Sequence, residues 1–217
     1  MTRPPKPFLP GRGFGGPLLL VLICGLLQML QGMYPDWFLY DRGAISHGQW
    51  WRLLSGHLVH TNAAHLMLNG AGVIALWFVF GRSVLLGARY AVGKYLGFVA
   101  LLSIAISAGL WLWFPDVEYY YGLSGALHGV FCLGAVGDLS QRRWSGALLL
   151  AGCALKVAWE WVVGPSAATG ALIEAEVAIS SHLLGALLGT LLGLVLWMRQ
   201  ARAAPPIRRA DGARSQQ

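Results

Sequence analysis

Of 217 residues, 56% are hydrophobic and only 12% are charged, which excludes an ordinary soluble domain. The net charge of +7 raises the question of nucleic acid, but the position of each basic residue points to a membrane instead. Six apolar stretches, near 17–33, 63–80, 91–114, 122–139, 144–163 and 177–198, are each long enough to cross about 30 Å of hydrocarbon. Backbone groups must be satisfied inside lipid, so the sequence predicts an all-α membrane protein, a bundle of six transmembrane helices.

In chain order, residues 1–16 are basic and rich in Pro and Gly, and predict a disordered lead. The first span could pass for the apolar part of a secretory leader, yet no small-x-small cleavage site follows it and five more spans do. Residues 34–64 then form a long outer segment carrying Trp37, Tyr40, His47, Trp50, Trp51, His57 and His60. It reads either as an aromatic belt in the headgroup layer or as a structured loop shielding a site, with His57 and His60 as surface histidines. The second span holds His65 and Asn69, four residues apart and therefore on one helix face.

The fourth span opens on Gly122-Leu123-Ser124-Gly125, and the fifth contains Lys156 and Glu160 one helical turn apart. Those two charges can neutralise each other in the membrane, or stand beside a substrate path. The Gly, Pro, Ser and Ala content of 164–177 predicts mobility that leaves the fifth span loosely tethered. The sixth span carries Ser181 and His182, and 199–217 reads as a disordered basic tail. A polybasic nucleic-acid tail is the competing reading of 199–214; no nucleic-acid partner is expected. Cys24, Cys132 and Cys153 all fall within spans, too few and too buried for a disulfide framework.

Charge sets the orientation. Arg3, Lys6 and Arg12 precede the first span, Arg82, Arg89 and Lys94 follow the second, Arg142 and Arg143 follow the fourth, and Arg199, Arg202, Arg208, Arg209 and Arg214 follow the sixth. All of these fall on one side, leaving only Arg42 and Arg52 on the other and Lys156 inside a span. The excess of positive charge marks the cytoplasmic face, so both termini are expected there.

The same arginines measure depth. His65 lies 17 residues before Arg82, Ser124 lies 18 before Arg142, and His182 lies 17 before Arg199. At ~1.5 Å per residue the three side chains share one level, about 26 Å above the inner boundary and just below the outer surface. Gly125 and Gly129 on one helix, and Gly185, Gly189 and Gly193 on the other, repeat at four, the spacing that lets membrane helices approach closely. Ser124 and His182 sit at the outer ends of those two seams. A seryl hydroxyl is a weak nucleophile until a nearby base takes its proton, and a neutral histidine in contact supplies that base.

No acidic residue occupies this level on the three helices, so a Ser-His dyad is expected rather than a triad. Asn69, His65 and the backbone N–H of Ser124 are the candidate donors to an oxyanion. A metal site built from His57, His60, His65, His128 and His182 competes with this reading, but lacks an adjacent carboxylate and the HExxH spacing. No metal or cofactor is expected.

Trp51-Arg52, His65-x-x-x-Asn69, Gly122-x-Ser124-Gly125 and His182-x-x-Gly185, in that order across about 50–190, resemble the rhomboid intramembrane serine proteases. The resemblance implies Ser124 as nucleophile, His182 as base, and His65 with Asn69 lining an oxyanion hole. It also implies a six-helix domain over 17–198 whose fifth helix gates substrate access, which puts Lys156 and Glu160 near the gate. The run Gly-Leu-Ser-Gly-Ala-Leu-His-Gly in a minimal chain is most similar to the rhombosortase subgroup. That similarity implies membrane-anchored partners bearing glycine-rich C-terminal sorting tails, and a bacterial inner membrane with the site opening to the periplasmic side. His128 departs from the wider family, where an aromatic residue commonly packs against the catalytic histidine; here it can stack or bond to Ser124. Ser181 stands where alanine is common. A catalytically silent rhomboid-like scaffold that binds membrane segments is the rival from another class.

Overall fold

The computed structural model describes residues 14–81, 83 and 92–203. The lead through residue 13, the connector 82–91 apart from residue 83, and the tail beyond 203 lie outside the described residues. The chain folds in the order α1 (Gly15–Met33), β1 (Tyr40–Asp41), α2 (Arg42–Ser46), α3 (Arg52–Ser55), α4 (Ala63–Phe80), α5 (Val92–Trp113), β2 (Tyr119–Tyr120), α6 (Ser124–Ser140), α7 (Ser145–Val163), α8 (Ala167–Ile173) and α9 (Ile179–Ala203). Each predicted apolar stretch is one helix, and α9 takes in the first five residues of the tail expected from 199.

Among the described residues five helices, α1, α4, α5, α7 and α9, are long and apolar enough to cross a membrane. The sixth predicted span, α6, has only 17 residues. Its shortness follows from its place: α4, α5, α7 and α9 all pack on it, and between Gly125 and Asp138 all but Leu127, His128 and Phe131 are buried. A helix enclosed by protein has little lipid to match and can carry Asp138, which pairs with Arg143 at 3.3 Å.

The tightest contact is between α6 and α9. A Cβ added at Gly185 would overlap the carbonyl of Gly125, and one at Gly189 would overlap that of Gly129. Lower down, a Cβ at Gly193 would come within 2.8 Å of the Val136 side chain. The two backbones touch along the seam because both surfaces lack side chains there.

The outer segment is a structured loop. Tyr40 pairs with Tyr120 and Asp41 with Tyr119 in a two-residue antiparallel ladder. The Arg52 guanidinium donates to the carbonyls of Asp36 at 2.5 Å and Leu39 at 2.9 Å, and to Gln49 Oε1 at 2.7 Å. Arg42 donates to the Trp111 carbonyl at 2.5 Å, near the C-terminal end of α5, where carbonyls lack helical partners and a cation is favoured. Arg42 and Arg52 are thus both fastened to backbone.

His57 and His60 are not surface residues: they are 0% and 2% exposed. Ser107 gives its hydroxyl proton to the Leu53 carbonyl at 2.7 Å, so His57 Nε2 donates to Ser107 Oγ at 3.0 Å. The backbone of His60 pairs with the Gln28 amide in both directions, at 2.7 and 2.9 Å, which ties the loop to α1. The 164–177 connector also departs from expectation. It contains α8, and Thr61 and Asn62 at the start of α4 donate to the carbonyls of Ile173 and Leu172.

Two outcomes follow from this packing. Gly189→Val forces the α6–α9 seam apart and should cost about 1–3 kcal/mol by overpacking, read as a lower thermal midpoint of the detergent-solubilised protein. Burial pushes His57 and His60 from the ordinary 6.5 down to about 3, so the folded protein holds both neutral. Their folded pKa values lie below the unfolded ones, so this stability is complete above 6.5 and lost as pH falls toward 3, by up to about 1.4 kcal/mol per pH unit for each group. The thermal midpoint should therefore drop by several degrees between pH 7 and pH 5; a midpoint unchanged over that range contradicts the burial account.

Candidate active site

Ser124 is the first residue of α6, reached through a turn in which Gly122 has φ +98°. That left-handed backbone suits glycine, and the space is needed as well. A Cβ on Gly122 would lie 2.6 Å from His65 Nε2 and 3.4 Å from Asn69 Nδ2. The turn is pinned from outside, where its N–H donates to the Gly56 carbonyl at 3.0 Å and its own carbonyl accepts from the Tyr120 hydroxyl at 2.5 Å.

His182 lies in the first turn of α9 and is 4% exposed. Its Nε2 stands 3.0 Å from Ser124 Oγ, the geometry of a hydroxyl donating to a ring nitrogen. His128 stacks on this ring, with centroids 4.2 Å apart and planes 21° off parallel. Both roles open to His128 are adopted, the stacking and a bond to Ser124. Its hydrogen bond goes to the main chain of Ser124, whose carbonyl accepts from Nδ1 at 2.8 Å, so Nε2 is left to accept from Lys156 Nζ at 2.9 Å.

The expectation that no carboxylate adjoins the imidazole does not hold. Glu160 Oε2 lies 2.9 Å from His182 Nδ1, and Lys156 Nζ reaches both carboxylate oxygens of Glu160 at 2.9 Å. The ion pair seen in the sequence is therefore present, but it belongs to the site. Glu160 lies on α7, outside the three helices that carry His65, Ser124 and His182. Counted outward from Arg143, Glu160 is 17 residues up α7, the level already shared by His65, Ser124 and His182. That signal was available in the spacing.

On α4, the Asn62 side chain caps the helix by accepting from the His65 N–H at 2.8 Å. Thr61 gives its hydroxyl proton to the Ile173 carbonyl, so it accepts from His65 Nδ1 at 3.1 Å. A neutral His65 then presents an unprotonated Nε2 toward Gly122. Asn69 Nδ2 is buried with no hydrogen-bond partner, a free donor on the same face. A cavity of about 390 Å³ adjoins Ser124, walled by Gly72 and Leu76 of α4, Leu127 and His128 of α6, and Gly152 and Lys156 of α7.

The family description "Rhomboid domain" matches residues 47–199. The sequence is also similar to "Rhomboid protease GluP" of Bacillus subtilis (strain 168), at 34% identity over 96 residues, or 44% of this chain. The aligned stretch covers 17% of that relative, so the chain spans only a small part of its length.

Proposed function

The chain belongs to the rhomboid family and is a multi-pass membrane protein, and from that premise we propose that it is an intramembrane serine endopeptidase with Ser124 as nucleophile and His182 as base. The observation that carries the reading is the 3.0 Å contact between Ser124 Oγ and His182 Nε2. Nε2 takes the hydroxyl proton as Oγ adds to a peptide carbonyl, giving a tetrahedral oxyanion. The imidazolium then protonates the leaving amine as the C–N bond breaks, and an acyl-enzyme remains. Water activated by the same nitrogen completes hydrolysis; an amine in its place completes transfer. The unpartnered Asn69 Nδ2 is the side-chain donor for the oxyanion, a contribution typically worth about a hundredfold or more in rate. His65 lines the same hole and would donate there on releasing Thr61.

The reading extends to six spans with α6 as the enclosed one, both termini cytoplasmic, and a bacterial inner membrane with the site near the outer face. The cavity between α4 and α7 would take the residue next to the cut. Its substrates would be exported proteins with glycine-rich C-terminal membrane tails, as in rhombosortases. A peptide bond inside a helix is shielded, and glycine weakens a helix by about 1 kcal/mol relative to alanine, so local unwinding would present the bond to Ser124.

Labelling the solubilised protein with a serine-directed fluorophosphonate tests the chemistry. Wild type should label, Ser124→Ala and His182→Ala should not, and Asn69→Ala should label about a hundredfold more slowly. A well-folded wild type that stays unlabelled would turn the reading toward a membrane-segment binder. For the substrate class, replacing the glycines of a candidate tail with leucine should abolish cleavage; cleavage at an unchanged rate would remove the glycine requirement.

A further inference from the structure

We propose that Glu160 is a positioning residue that makes the Ser124–His182 pair a triad, by holding His182 in the tautomer able to accept the serine proton; the proposal rests on the protease reading above. It comes from counting protons. The charged or titratable groups that meet the His182 ring are Glu160 and Lys156 from α7, and His128 from α6. Two of them compete for Nδ1: Glu160 Oε2 at 2.9 Å, which can only accept, and Lys156 Nζ at 3.3 Å, which can only donate. They select opposite tautomers. If lysine donates to Nδ1, the ring proton sits on Nε2, and Nε2 cannot take a proton from Ser124.

Lysine is occupied elsewhere. Its three N–H groups are met by His128 Nε2 and the two carboxylate oxygens of Glu160, each at 2.9 Å. His128 accepts there because its Nδ1 proton is committed to the Ser124 carbonyl. With no lysine proton left over, Nδ1–H of His182 donates to Glu160 and Nε2 keeps its lone pair for Ser124. When Nε2 takes the serine proton, the imidazolium retains Nδ1–H against the carboxylate, which stays ionised throughout. The nucleophile, the base and the positioning group stand on α6, α9 and α7, so the arrangement is complete only while α7 packs against the other two.

The test pairs an activity-independent readout with an activity. Imidazole 15N shifts of histidine-labelled protein, assigned through His182→Ala, report the tautomer, and fluorophosphonate reports the reactivity of Ser124. In wild type, His182 should be Nδ1-protonated. Glu160→Gln, whose amide can donate to Nδ1, should move the proton to Nε2 and slow labelling a hundredfold or more. Glu160→Asp should keep the wild-type tautomer and label within tenfold of wild type, a rescue that a purely structural role would not give. Nε2-protonated His182 in wild type overturns the proposal even if no Glu160 variant folds, as does Glu160→Gln labelling within threefold of wild type. A wild type with the Nδ1-protonated ring but an unlabelled Ser124 would overturn the protease reading and leave the positioning by Glu160 standing.

Discussion

The site depends on the absence of side chains between α6 and α9. Ser124 and His182 are 58 residues apart and belong to different helices, yet their side chains must meet at hydrogen-bond distance. Gly125, Gly129, Gly185 and Gly189 let the two backbones touch, and the carbonyl of each α6 glycine fills the place where an α9 Cβ would stand. Hydrophobic burial cannot supply this closeness within lipid, since lipid chains are as apolar as the side chains they would replace. Shape does it, and the shape is set by glycine spacing.

A second constraint works from the loops around the start of α6. Ser124 emerges from the turn at Gly122, and that turn is held by Gly56 and Tyr120 rather than by its own helix. Gly56 directly follows α3, whose Arg52 is bonded to the carbonyls of Asp36 and Leu39, and Tyr120 is paired with Tyr40. The long segment before α4 and the β ladder therefore position Ser124, which gives a physical reason for such a long connection. Thr61 extends the same logic to α8, since its hydroxyl settles which nitrogen of His65 carries a proton.

Helix positions were legible in the sequence because an apolar stretch of membrane length has few other folds open to it. Ser124, His182, His65 and Asn69 were legible as a group because the inner arginines provide a ruler, and the structure brings all four to one place. Glu160 was missed although the same ruler, read in the opposite direction along α7, puts it at their level. An adjacent lysine gave it a sufficient explanation as a neutral pair. The burial of His57 and His60 was not legible: nothing local distinguishes a loop histidine at the surface from one under α5 and against Gln28, because the difference lies in long-range packing. Nor was α8, a short helix held by side chains of another element more than a hundred residues away.

The central claim is that α6 and α9 hold Ser124 and His182 together, facing the donor on α4. A structure of the fluorophosphonate adduct in a lipid bilayer tests it most directly. The account predicts phosphorus bonded to Ser124 Oγ, the phosphoryl oxygen within hydrogen-bond distance of Asn69 Nδ2, and the seam glycines still in contact. An adduct on another residue, or on Ser124 with α6 and α9 parted and the phosphoryl oxygen turned away from Asn69, would contradict it.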